Sequence, residues 1–149
     1  MLAPGTTAPA FRAESTMGPI DLSNELGKRP VVLIFYPKDE TPVCTKQLCA
    51  VRDSRKHYEA HGAIVLGINP GTLEEHRRFA AKNKYDFPIV TDSDEAIRKQ
   101  YEVGKILGLF GQQRVVYVIG TNGRIVYAEK GNRPTDEIMQ ALEKAQPTD

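Results

Sequence analysis

The most apolar run of the chain, Val31-Val32-Leu33-Ile34-Phe35-Tyr36, is β-branched and aromatic with no polar alternation. That pattern predicts a strand covered on both faces, at the centre of a sheet. Pro37 ends it, because proline lacks the N–H that a central ladder requires. Ala63 to Ile68 predicts a second buried strand, closed by the turn residues Asn69-Pro70-Gly71, and Phe87 to Thr91 a short third one. Val115 to Ile119 and Arg124 to Tyr127 flank Gly120-Thr121-Asn122-Gly123, where Asn-Gly predicts an antiparallel hairpin.

Between these runs the apolar spacing changes to a helical one. Thr41-Pro42 suits an N-cap followed by a first helical residue, and predicts a helix running to about His61. Cys44, Leu48, Val51 and Tyr58 then share one inward stripe, and Gly62 closes the helix. Thr72-Leu73-Glu74-Glu75 has capping-box spacing and opens a helix to about Lys84. Asp92 to Tyr101 predicts a short helix, and Pro134 to Glu137 the start of a last one with Ile138, Ala141, Leu142 and Ala145 inside. Residues 1–10 read as an extended lead-in, Phe11–Ala13 and Ile20–Leu22 as a short hairpin or irregular extension, and Val103–Gln113 as a glycine-containing loop with room for short structure. The order predicts an α/β fold, a mixed central sheet flanked by helices with right-handed crossovers. In such sheets ligands bind beyond the carboxyl ends of strands, which is where Thr41 to Cys44 must lie.

A length of 149 residues fits a single domain spanning 1–149, and 40% apolar with 26% charged residues is ordinary for a globular chain. Lys plus Arg number 20 against 19 for Asp plus Glu, so there is no basic excess to recommend nucleic acid as a partner. The N-terminus has no basic start followed by an apolar core, and no run approaches the roughly 20 residues of a membrane span. The expectation is a cytoplasmic protein without a membrane partner. In that reducing compartment two cysteines point to catalysis or metal binding rather than to a permanent staple.

Both cysteines fall in the stretch that follows the central strand. Cys44, in the first turn of its helix, meets unpaired N–H groups and the positive end of the macrodipole, which favour a thiolate. The alternative is a small buried hydrophobe, the commoner fate of a free cysteine. Cys49 is five residues on, a rotation of roughly 140° and a rise of about 7.5 Å, so the two sulfurs point to different faces. A disulfide, limited to Cα separations of about 7 Å, therefore requires this part of the helix to unwind. A rival from another class is a zinc or non-catalytic interaction module using Cys44, Cys49, His57 and His61, since His at i and i+4 on a helix can ligate zinc. Its seven-residue spacer is short for a finger, and one helix would present the cysteines on different faces. His57, His61 and His76 otherwise read as surface-helix positions, Arg52 with Asp53 as a solvated pair, and Phe79, Tyr101 and Tyr117 as core.

Pro37-x-x-x-Thr41-x-x-Cys44 after a strand resembles the signature of the peroxiredoxins, and Cys44-Thr45-Lys46-Gln47-x-Cys49 is similar to the bacterioferritin comigratory protein or peroxiredoxin Q subfamily. Ala8-Pro9-Ala10-Phe11, Phe87 to Asp92 and Arg114 match further parts of that family in order. The resemblance implies a thioredoxin-like peroxiredoxin fold with an N-terminal extension, and a thiol-dependent peroxidase of the atypical two-cysteine type without a metal or other cofactor. Cys44 would attack hydrogen peroxide or an organic hydroperoxide to become a sulfenic acid, and Cys49 would resolve it as an intramolecular disulfide. Thioredoxin or a similar dithiol would recycle the pair. Arg114 would be the cation beside Cys44, Thr41 would offer its hydroxyl to the thiolate or substrate, and Pro37 would shield the sulfur from water. A monomer or weak homodimer is implied. Two positions depart from the pattern: Val43 stands where glycine is expected, and Ala50-Val51 where Gly-Phe is common.

Overall fold

The computed structural model describes residues 1–106 and 111–145. The apolar runs form a five-stranded sheet. In chain order the elements are β1 (Arg12–Ala13), β2 (Ile20–Asp21), β3 (Val31–Phe35), α1 (Pro42–Asp53), α2 (Arg55–Ala60), β4 (Ile64–Asn69) and α3 (Leu73–Asn83). Then come β5 (Ile89–Thr91), α4 (Ala96–Gln100), β6 (Val115–Ile119), β7 (Ile125–Lys130) and α5 (Thr135–Ala145). The sheet order is β5-β4-β3-β6-β7, with β3 parallel to β4, β4 parallel to β5, and the β6–β7 hairpin antiparallel. β1 and β2 pair apart from it as the expected small hairpin.

β3 lies in the middle and every residue of it is buried, because the sheet separates two apolar layers. Val32, Ile34 and Tyr36 face the layer that holds Cys44, Leu48, Phe79 and Leu142, from α1, α3 and α5. Val31, Leu33 and Phe35 face the other, with Ile97 of α4, Tyr101 just after it and Phe11 of the N-terminal extension. Period-two alternation in a strand produces this division. Phe79, Tyr101 and Tyr117 are fully buried, as expected of core. Among the described residues no helix is long and apolar enough to cross a membrane.

Two helix boundaries differ from the sequence reading. The helix expected to run from Thr41 to His61 is two helices, interrupted at Ser54, whose N–H closes on the Ala50 and Val51 carbonyls while its ψ of 13° leaves the helical region. Serine favours such caps and turns over helix interiors. The helix expected from Asp92 begins only at Ala96, because the Asp92 carboxylate accepts the Ile97 and Arg98 N–H groups and acts as an external cap. In the Val103–Gln113 segment, Lys105 and Gln112 form an antiparallel bridge, and residues 107–110 lie outside the described residues.

Candidate active site

The segment joining β3 to α1 is held at its first residue by two amides. The Tyr36 carbonyl accepts from Asn69 Nδ2 at 2.8 Å and from Gln112 Nε2 at 3.0 Å, and Gln112 Nε2 also reaches the Ile68 carbonyl at 2.6 Å. β3, β4 and the approach to β6 are thereby tied together at the end where α1 begins. Pro37, half-buried, packs against Gly111: a Cβ at Gly111 would stand 3.0 Å from the Pro37 carbonyl oxygen, and its φ of +114° also favours glycine.

A buried polar chain fixes the middle of the segment. Tyr36 O–H donates to Asp39 Oδ1 at 2.6 Å, Asp39 Oδ2 lies 2.6 Å from His76 Nδ1, and His76 Nε2 lies 3.2 Å from the Asn69 carbonyl. Burial first, then the Asp39 carboxylate and the nearby Cys44, push the Tyr36 phenol well above its usual value of 10. It stays a donor. His76, expected on a helix surface, is fully buried here, a correction that the tertiary contact with Asp39 explains. His57 is exposed on α2, as expected.

Thr41 occupies the N-cap position with extended backbone but makes no side-chain cap. Its Oγ1 donates to the Lys38 carbonyl at 2.9 Å, closing the segment on itself. The single hydroxyl hydrogen must leave Lys38 before it can serve a sulfur or a peroxide. Pro42 is the first helical residue, and Cys44, in the first turn, is fully buried. Val43 turns outward and is 48% exposed. Gln47, three residues after Cys44 and on its face of the helix, accepts from Arg114 Nη1 at 3.1 Å, which brings the guanidinium at the start of β6 to this side of α1.

Both cysteines are free thiols. Cys49 is partly buried, with Sγ 3.4 Å from Tyr85 Oη, and Tyr85 O–H donates to the Thr45 carbonyl at 3.2 Å. Arg52 is not simply solvated: besides Asp53, it reaches the Asn83 carbonyl at 2.7 Å. The Cys44, Cys49, His57, His61 series does not converge, and among the described residues no group of three or more His, Cys, Asp or Glu is placed to hold a metal. Asn69, His76, Tyr85 and Gln112 are site neighbours that local sequence patterns did not reveal. Each acts across a separation of more than 30 positions.

The AhpC/TSA family model matches residues 4–128. A chloroplastic peroxiredoxin Q of Sedum lineare is 40% identical over 148 residues, covering 93% of this chain and 78% of that protein. Peroxidoxin BcpB of Mycobacterium tuberculosis superposes with a TM-score of 0.87 at 28% identity, covering 97% and 98% of the two chains. The bacterioferritin comigratory protein of Xanthomonas campestris, whose structures concern its alkyl peroxide reduction activity, gives 0.82 at 26% identity, covering 97% and 96%. The fold is the thioredoxin-like peroxiredoxin fold, and the chain belongs to the AhpC/TSA family, in its peroxiredoxin Q and Bcp branch.

Proposed function

We propose that the chain is a thiol peroxidase in which Cys44 reduces hydrogen peroxide and organic hydroperoxides and Cys49 resolves the product. The observation that carries this reading is Cys44 itself, a free, fully buried thiol in the first turn of α1, beyond the central strand. The Cys44 thiolate attacks one peroxide oxygen, the O–O bond breaks, and the other oxygen leaves as an alcohol or water after taking a proton. Arg114, anchored through Gln47, is the cation on this side of α1 that can stabilise charge on the departing oxygen. Thr41 releases Lys38 to donate to the sulfur or the peroxide, and Pro37, packed on Gly111, closes one wall.

The resulting sulfenic acid condenses with Cys49 once that part of α1 unwinds, and an external dithiol of the thioredoxin type returns both thiols. The alkyl peroxide reduction activity of the Xanthomonas relative supports organic hydroperoxides as one substrate class. The chain would work as a monomer or a weak homodimer. Stopped-flow mixing of reduced protein with hydrogen peroxide and with an alkyl hydroperoxide, followed by reduction with thioredoxin, tests the cycle. Stoichiometric oxidation and an intramolecular Cys44–Cys49 disulfide are expected; an inert thiol pair would refute it.

A further inference from the structure

The cysteine that must leave α1 is gripped from outside α1. Tyr85 lies in the connection that follows α3, buried, with its ring centroid 5.2 Å from that of Phe79 and 5.2 Å from that of Phe87. From this fixed position its oxygen contacts Cys49 Sγ and its hydrogen is given to the Thr45 carbonyl. In a regular helix that carbonyl is the acceptor of the N–H four residues on, which is that of Cys49. One phenol therefore holds both the side chain and the backbone turn of Cys49.

A second tie lies close by, three residues after Cys49 on α1 and two residues before Tyr85. Arg52 Nη1 donates to the carbonyl of Asn83, the last residue of α3, where a helix leaves acceptors without internal partners. Lys84, between Asn83 and Tyr85, has a left-handed backbone with φ of +55°, and this reversal lets one carbonyl and one phenol address the same helix. Burial, followed by the hydrogen bond with Cys49, raises the Tyr85 pKa, so the phenol remains protonated and its hydrogen remains available to Thr45.

Resting on the proposed roles of Cys44 and Cys49, we infer that the 83–85 turn is a clamp that sets how long α1 stays wound after Cys44 is oxidised, with Tyr85 as the positioning residue for Cys49. Tyr85 has one hydrogen and gives it to Thr45, so Cys49 S–H is the donor in the 3.4 Å contact. For resolution that contact opens and the Thr45 carbonyl loses the Cys49 N–H. The Cys49 sulfur then attacks the Cys44 sulfur, the S–O bond breaks, and the oxygen departs as water with the thiol hydrogen. Cys49 is oxidised and Cys44 reduced by the same electron pair. While the clamp holds, a second peroxide has time to carry Cys44 to the sulfinic acid.

The test uses reduced full-length protein and hydrogen peroxide, with a first phase that scales with peroxide and a second that does not. Tyr85→Phe keeps the ring and removes the oxygen; the second phase should accelerate roughly 3- to 10-fold, the scale of one hydrogen bond's net contribution. The first phase should be unchanged, and mass spectrometry should find less sulfinic acid at high peroxide. Arg52→Met, which removes the Asn83 tie together with the exposed pair to Asp53, should also accelerate the second phase and carries the test if Tyr85→Phe does not fold. Tyr58→Phe, removing the phenolic oxygen of another buried tyrosine, should not. An unchanged or slower second phase, or equal acceleration in Tyr58→Phe, overturns the clamp and leaves the peroxidase reading standing. A wild-type protein with neither phase overturns the peroxidase reading itself.

Discussion

The Asp39 carboxylate and the His76 imidazole meet at 2.6 Å, Oδ2 to Nδ1, across 37 positions of sequence. His76 Nε2 faces the Asn69 carbonyl, which can only accept, so that nitrogen carries a hydrogen. The contact between Nδ1 and Oδ2 then needs one more, on either atom. Since Tyr36 O–H occupies the other carboxylate oxygen, the group ties the segment ahead of Cys44 to both β4 and α3.

Removing the imidazole should therefore disturb both stability and the site. His76→Ala leaves Asp39 Oδ2 buried without this partner and should destabilise by about 1–3 kcal/mol, the cost of an unsatisfied buried polar group. Urea unfolding checks this. Peroxide oxidation of Cys44 should slow as well, because the segment carrying Pro37 and Thr41 loses its anchor; an unaffected oxidation rate would separate the anchor from the chemistry.

Cys44→Ser should lower peroxide consumption by roughly three orders of magnitude or more, since a hydroxyl does not replace a thiolate nucleophile here. Cys49→Ser should still consume one equivalent and stop at a sulfenic acid. A sulfenic-acid trap followed by mass spectrometry distinguishes the two.

Arg114→Ala should slow the first step about 100-fold, the usual loss when one stabilising donor is removed from a site of developing negative charge. Gln47→Ala keeps the guanidinium but frees it, and should slow the step by less. Equal rates for both variants and the wild type, by stopped-flow, would assign the task to another cation.

Val43 is 48% exposed, one residue before the fully buried Cys44. Its effect is on the helix: Val43→Gly lowers helix propensity by a few tenths of a kcal/mol. The unimolecular resolution phase should quicken by about twofold or less, with little change in the reaction of Cys44 with hydrogen peroxide.

Acid should loosen the packing of α5. Hydrogen bonds from Arg133 first and Tyr127 second lower the Glu137 pKa from 4.5 to about 2. A group whose folded value is depressed contributes stability above its unfolded value and loses it as the pH falls. Tm should decline between about pH 4.5 and pH 2 on this account. Glu137→Gln should lower Tm at neutral pH and flatten that part of the decline in a melting series.

Much of the frame was readable in local patterns. The unbroken apolar run of β3 announced a doubly covered strand, Asn122-Gly123 announced the final hairpin, and Thr41-Pro42 announced the start of the helix bearing Cys44. These signals succeed because strand burial, turn conformation and helix initiation depend on residues within a few positions of each other. Boundaries set by distant or competing hydrogen bonds did not show: Ser54 splits the expected helix, and the Asp92 carboxylate delays α4.

The chain's order of residues therefore carried the strands, the helix start that holds Cys44 and the five-residue offset of Cys49, all consequences of short-range geometry. What holds that segment came from the folded whole. His76 became a buried partner of Asp39, Arg114 met Gln47, and Tyr85 met Cys49 only when α1, α3 and the sheet packed together. A hydrogen-bond partner more than 30 residues away leaves no periodic trace; it is selected by which faces the two apolar layers bring into contact.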